Sequence, residues 1–261
     1  MLRVELPAAT ATQRIESYIH VLRALMLRDM RTRFGGTMWG YLLQVLWPVA
    51  HVVIITAAMA SRGMHSPIGS SVLVFVATGA FPALAFQYIG REIMKGVLTN
   101  KPLTYYPQVR MFDVMVSRSI VEAIGSFIGL FIIFLMLFAL HINPLPENGF
   151  EAICGYAAAL LLGIGIGTIN AAIVVFFPGW MLGFIIVQLA LYLTSGVYFL
   201  PNFMPEHVYE IMKWNPITQI IEWVRLGYYV DLPVQVDKIY TIMCGLTCLA
   251  IGLALNRQIH R

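Results

Sequence analysis

Apolar and polar positions along this chain fall into long blocks with no short-period alternation. Long, predominantly apolar runs occupy residues 40–60, 72–89, 120–140, 153–177, 180–200 and 239–255. Each approaches the ~20 residues that a helix needs to cross ~30 Å of hydrocarbon. Inside a bilayer a backbone amide must find its partner within its own segment, so helix is the expected form. The pattern predicts an all-α membrane protein with six transmembrane helices and one transmembrane domain over 1–261.

Three stretches outside these runs carry patterns of their own. Over 12–35, Ile15, Tyr18, Ile19, Leu22, Leu25, Met26 and Met30 recur at spacings of three and four, with Arg14, Glu16, His20 and Arg23 between them. That stripe predicts an N-terminal amphipathic interfacial helix, stopped by Gly35-Gly36 before Trp39 enters the bilayer. It serves either as an anchor or as a docking surface for a cytoplasmic partner. Residues 90–118 form the longest cytoplasmic connection, and Leu98, Leu103, Tyr105, Tyr106, Met111 and Phe112 run through its charges. A tether has no need of those side chains, so a second contact surface of short helices is expected there.

The third stretch, 201–237, is too polar to cross and too aromatic for a free loop. Pro205 can start a helix over Glu206–Trp214, Asn215-Pro216 interrupts it, and Ile217, Ile220, Ile221 and Val224 restart an apolar stripe. The expectation is a periplasmic re-entrant hairpin between helices 5 and 6. An interfacial aromatic belt is the plainer account of Trp214 and Trp223.

Charge then orients the chain. Hydrophobic residues make up 59% and charged residues only 11% of it, so the placement of the few charges matters more than the net +4. With both termini cytoplasmic, thirteen of the 17 basic residues fall inside: the six arginines before Met38, the five lysines and arginines of 90–118, and Arg257 and Arg261. The outer side keeps Arg62, Lys213, Arg225 and Lys238 among seven acids. The positive-inside rule selects this orientation. The first 38 residues contain no cleavable apolar core, so insertion is expected to rely on the first span.

Catalytic and energy-coupling motifs are absent. There is no Gly-Lys dipeptide, hence no phosphate loop for ATP. There is no His-Glu-x-x-His, and Ser195 lies in Thr-Ser-Gly-Val, outside any nucleophile elbow. Gln44, His51, Thr56, Asn170 and Gln188 are the polar residues well inside the spans, with Glu122 near an entrance. They lack the acidic relay of an ion-driven pump, so the energy must come from elsewhere. Cys154, Cys244 and Cys248 read as small buried hydrophobes and not as metal ligands. Gly125–Gly129, Gly163–Gly167 and Gly179–Gly183 allow close helix approach, within one subunit or between two.

Two stretches together carry a family resemblance. LMLRDMRTRFGGTMWGYLLQVLWPV at 25–49 resembles the opening of ABC-2-type permeases, and SGVYFLPNFMPEHVYEIMKWNPITQIIEWVRLGYY at 195–229 resembles their outer hairpin. The likeness is greatest to the inner-membrane permeases of group 2 capsular polysaccharide exporters. It implies a non-catalytic homodimeric subunit that binds no cofactor and pairs with two copies of an ABC ATPase holding ATP and Mg. It also implies a periplasmic polysaccharide co-polymerase, an outer-membrane export protein and a lipid-linked polysaccharide substrate, with no nucleic acid.

By matching position, Arg28, Asp29, Arg31, Arg33 and Phe34 would meet the ATPase, together with Arg91, Glu92 and Lys95 of a coupling loop at 90–118. Sugar-stacking candidates along a substrate path are Trp39, Tyr41, Trp180, Tyr192, Tyr198, Phe199, Trp214 and Trp223, with Arg225 beside them. The short turn Phe177-Pro178-Gly179-Trp180 lacks the Arg-Asp often seen in O-antigen permeases. O-antigen, teichoic acid or a small lipophilic drug are alternative cargoes, and a scaffold without transport is the alternative of another class.

Overall fold

Local chemistry sets the starts of the long helices. In the computed structural model, which describes residues 10–32, 38–106, 109–230 and 232–259, every regular element is helical. The Ser71 side chain accepts from Val74 N–H and opens α3 (Val72–Thr99), and Asn148 accepts from Glu151 N–H to open α5 (Gly149–Phe176). Asp113 accepts from the Arg110 backbone N–H at 2.9 Å as α4 (Met111–Ala139) begins. Each satisfies amides that a helix end leaves without an internal partner. The rest are α1 (Ala11–Thr32), α2 (Met38–Ser61), α6 (Trp180–Leu193), α7 (Glu206–Met212), α8 (Pro216–Tyr228) and α9 (Lys238–Ile259).

Five helices are long and apolar enough to cross a membrane: α2, α3, α4, α5 and α9. α3 is the axis of the bundle, with 83% of its most apolar window buried against 28% for α2 and α4 and 22% for α9. The outer helices keep apolar side chains such as Phe131, Leu182, Ile186 and Ile251 exposed. A face of that kind suits hydrocarbon and not water. Glycines bring backbones together along the central helices. A β-carbon on Gly163 would meet Phe86 O at 3.1 Å, and one on Gly165 would meet Gly245 O at 2.8 Å. Gly163 and Gly167 thus face α3, while Gly125 and Gly129 face α2 and Phe81, all inside one subunit.

The structure corrects three expectations. Residues 90–118 are mostly not a connection: α3 continues to Thr99 and α4 begins at Met111. The charges that seemed to end the spans at 89 and 120 are paired inside the bundle, so the helices run through them. The run 180–200 does not stay helical. α6 has 14 residues and gives way to a turn at Gly196, whose φ of +79° favours glycine. In 201–237 the break at Asn215-Pro216 is where the pattern placed it, with Asn215 accepting from Ile217 N–H. α8, however, is wedged against α5 and α3, with Ile217, Ile220, Ile221 and Val224 at 1% exposure or less.

Candidate functional site

The end of the bundle that carries α1 holds a cavity of about 940 Å³ walled by α1, α2, α3 and α4. α1 reaches it because Leu25 packs into a core with Ile89, Ile93, Met111, Val114 and Met115. Leu43 and Trp47 of α2 give it one apolar wall, and Arg28, Arg91, Lys95 and Arg118 give it positive charge.

Its acids are shared among these cations. Glu92 Oε1 lies 3.1 Å from Lys95 Nζ and 3.5 Å from Arg91 Nε, and Glu92 Oε2 lies 3.5 Å from Arg118 Nη1. Arg118 Nη2 lies 2.7 Å from Asp29 Oδ1. Arg28 Nη1 donates to Asn100 Oδ1 at 2.8 Å, and the Arg91 guanidinium sits 5.0 Å from the Tyr88 ring centroid. One turn beyond Arg118, Gln44 Nε2 donates to both oxygens of Glu122, at 3.0 and 2.9 Å. Asp29, Glu92, Arg118 and Glu122 are buried, and charges at such positions persist with partners of this kind.

The cluster brings together Arg28, Asp29, Arg91, Glu92 and Lys95 of the sequence-based set. Arg31 is exposed in the last turn of α1, and Arg33 and Phe34 lie outside the described residues. The sequence reading missed the role of Arg118 and Asn100. A signal existed in the spacing of Arg118 and Glu122, which places two opposite charges on one face at the start of an apolar helix.

The aromatic candidates are dispersed. Tyr192 is buried, its hydroxyl 2.7 Å from His51 Nε2 and its ring edge-on to Tyr198 at 5.7 Å. Trp180 Nε1 donates to Asn170 Oδ1, and Trp223 Nε1 donates to Glu151 Oε2 at 2.6 Å. Trp39 and Trp214 are exposed; Tyr41 and Phe199 are half-buried. None of them lines the α1-end cavity, where Trp47 and Tyr88 do.

At the opposite end, Arg225 is fully buried. Its Nη1 donates to Gly196 O at 2.8 Å and Phe199 O at 3.3 Å, and its Nη2 to Val197 O at 3.1 Å. Burial lowers its pKa to about 10, which leaves it charged at neutral pH. Glu222, also fully buried, has no hydrogen-bond partner for either oxygen among the described residues, and burial raises it to about 7. Among the described residues no group of three His, Cys, Asp or Glu converges as metal ligands would. The α1-end arrangement is equipped to attract anions and to tie helices together. Its groups are ionic and amide partners, with no nucleophile–base pair among the contacts described.

Comparison with known proteins identifies the chain's relatives. The profile of the ABC-2 type transporter family matches residues 20–229. The polysialic acid transport protein KpsM of Escherichia coli is 27% identical over 241 residues, 90% of this chain and 92% of that one. The capsule polysaccharide export inner-membrane protein BexB of Haemophilus influenzae is 23% identical over 247 residues, 92% and 91% of the two chains. CtrC of Neisseria meningitidis serogroup A, of the same description, is 21% identical over 236 residues, 90% and 89%.

Proposed function

The chain belongs to the ABC-2 type transporter family, and from that premise we propose that it is the permease subunit of an ATP-driven exporter of lipid-linked capsular polysaccharide. The observation that carries the cargo is the likeness to capsule-export permeases along nine-tenths of both chains. The missing phosphate loop requires a separate ATPase, present as two copies beside a homodimer of this chain. α1 and its cavity face the cytoplasm, where basic residues are favoured. α6 and the turn at 194–200 together complete a sixth crossing, and α7 and α8 form the re-entrant hairpin on the periplasmic side.

Phosphate and acidic sugars of the glycolipid are attracted to Arg28, Arg91 and Lys95, and the apolar wall of Leu43 and Trp47 suits its lipid. The glycan then passes along the subunit interface, where aromatic faces offer weak repeated contacts. ATP bound to the partner supplies the work, with Arg31 in the last turn of the contacting helix and Arg33 and Phe34 following it in sequence. A periplasmic co-polymerase and an outer-membrane export protein carry the polymer onward. Co-reconstitution with a candidate ABC ATPase tests the reading. Lipid-linked capsular glycan should stimulate ATP hydrolysis and appear in the opposite compartment, whereas stimulation by O-antigen lipid alone would reassign the cargo.

A further inference from the structure

Two residues that the resemblance places at the ATPase contact, Asp29 and Glu92, are only 6% and 8% exposed. Both direct carboxylates at the same guanidinium, that of Arg118. We infer that Arg118 is a positioning residue through which movement of α1 reaches the transport path, and that Asp29 and Glu92 act through it without touching the partner. The inference rests on the reading of this chain as an ATP-driven permease.

The geometry makes Arg118 a three-helix joint. From α4 it holds α1 through Asp29 at 2.7 Å and α3 through Glu92 at 3.5 Å and Thr99 Oγ1 at 3.4 Å. Its stem lies across Gly96, where a β-carbon would stand 3.0 Å from Arg118 Cγ. One turn along the same helix, Glu122 is fixed to Gln44 of α2, at 3.0 and 2.9 Å. α2 supplies the apolar wall of the cavity. A push on α1 is therefore felt by a rigid turn of α4 that also grips α2.

The chemistry of the joint is specific. Two carboxylates on different helices share one planar fork, so loss of the fork removes the charge through which α4 ties α1 to α3. Lysine offers a single point of charge and cannot hold both acids in the same geometry. Asp29→Asn removes the α1 charge but keeps its shape, loosening α1 at this joint while Leu25 and the Arg28–Asn100 bond still hold the helix and Arg118 stays paired with Glu92.

The test uses the full chain, with Cys154, Cys244 and Cys248 replaced by alanine and spin labels at Arg23→Cys and Phe112→Cys, both exposed sites. In proteoliposomes with the ATPase, Arg118→Lys and Asp29→Asn should lower the glycan exported per ATP hydrolysed by about tenfold. Loss of folded protein would instead scale export and hydrolysis together and leave their ratio unchanged. In the chain alone, Asp29→Asn should broaden the Arg23–Phe112 distance distribution, a result that does not depend on the cargo. An unchanged ratio together with an unchanged distribution would overturn the role of Arg118. A parent transporter that exports no glycan while the distribution still broadens would refute the cargo and leave the joint standing.

Discussion

Arg225 Nη2 lies 2.9 Å from the point where a β-carbon on Gly79 would stand. The absence of a side chain on α3 therefore makes room for a buried cation carried by α8. That cation lies 4.0 Å from the Phe75 ring centroid and donates to carbonyls released where α6 ends and the chain turns at Gly196. In apolar surroundings such carbonyls have no water to turn to.

Removing the fork should therefore cost folded protein. Each orphaned buried carbonyl costs about 1–3 kcal/mol, so Arg225→Met should lower the melting midpoint in detergent markedly. Arg225→Lys should rescue little, since one ammonium cannot reach Gly196, Val197 and Phe199 together. Melting of the two variants beside the parent checks this.

Glu222 should make the stability of the hairpin fall as pH rises. Burial raises its carboxyl from the usual 4.5 to about 7, against the weaker opposing pull of Arg225; Tyr209 of α7 also feels its charge. The folded chain thus keeps a proton that the unfolded chain releases. The stability so gained is complete below 4.5 and is lost as pH climbs through about 7. Glu222→Gln should gain midpoint over the parent on going from about pH 5 to about pH 8, by an amount on the order of 2–3 kcal/mol. Parallel melting curves across that range would contradict the assignment.

α9 should depend on one glycine. A β-carbon on Gly252 would come 2.1 Å from Thr168 Oγ1, closer than any real contact allows. Asn256 reaches Thr168 O at 2.7 Å just beyond, so the backbones cannot separate without breaking that bond. Gly252→Val should cost about 1–3 kcal/mol, read as increased protease sensitivity of α9 in membranes.

Arg28 and Arg31 lie on α1, outside the apolar spans. Replacing both with alanine should leave the chain inserted and folded while reducing ATP-dependent export by at least about tenfold. Quantifying surface glycan against the amount of membrane-inserted chain separates the two effects. Unchanged surface glycan would remove α1 from the coupling route.

Much of this fold was legible because long apolar runs and caps are local signals. Asn215-Pro216 marked the break between α7 and α8, and five of the six apolar runs became long helices, the run 180–200 giving only the shorter α6. Charges were misread because a sequence gives their sign and not their partner. Arg91, Glu92 and Arg118 look like loop residues until α1, α3 and α4 are side by side. Arg225 likewise counted as an outer basic residue, though Gly79 and the carbonyls of the α6 turn give it a place inside. For the aromatic residues, stacking capacity is visible in composition, but the partner of a ring, such as Glu151 for Trp223, depends on packing.

Transport by the purified chain in sealed proteoliposomes, with and without the ATPase, bears most directly on the source of energy. Glycolipid should cross only when ATPase and ATP are both present, and no ion gradient should replace them. Movement driven by a proton or sodium gradient in the chain alone would contradict a permease that draws its work from a separate subunit.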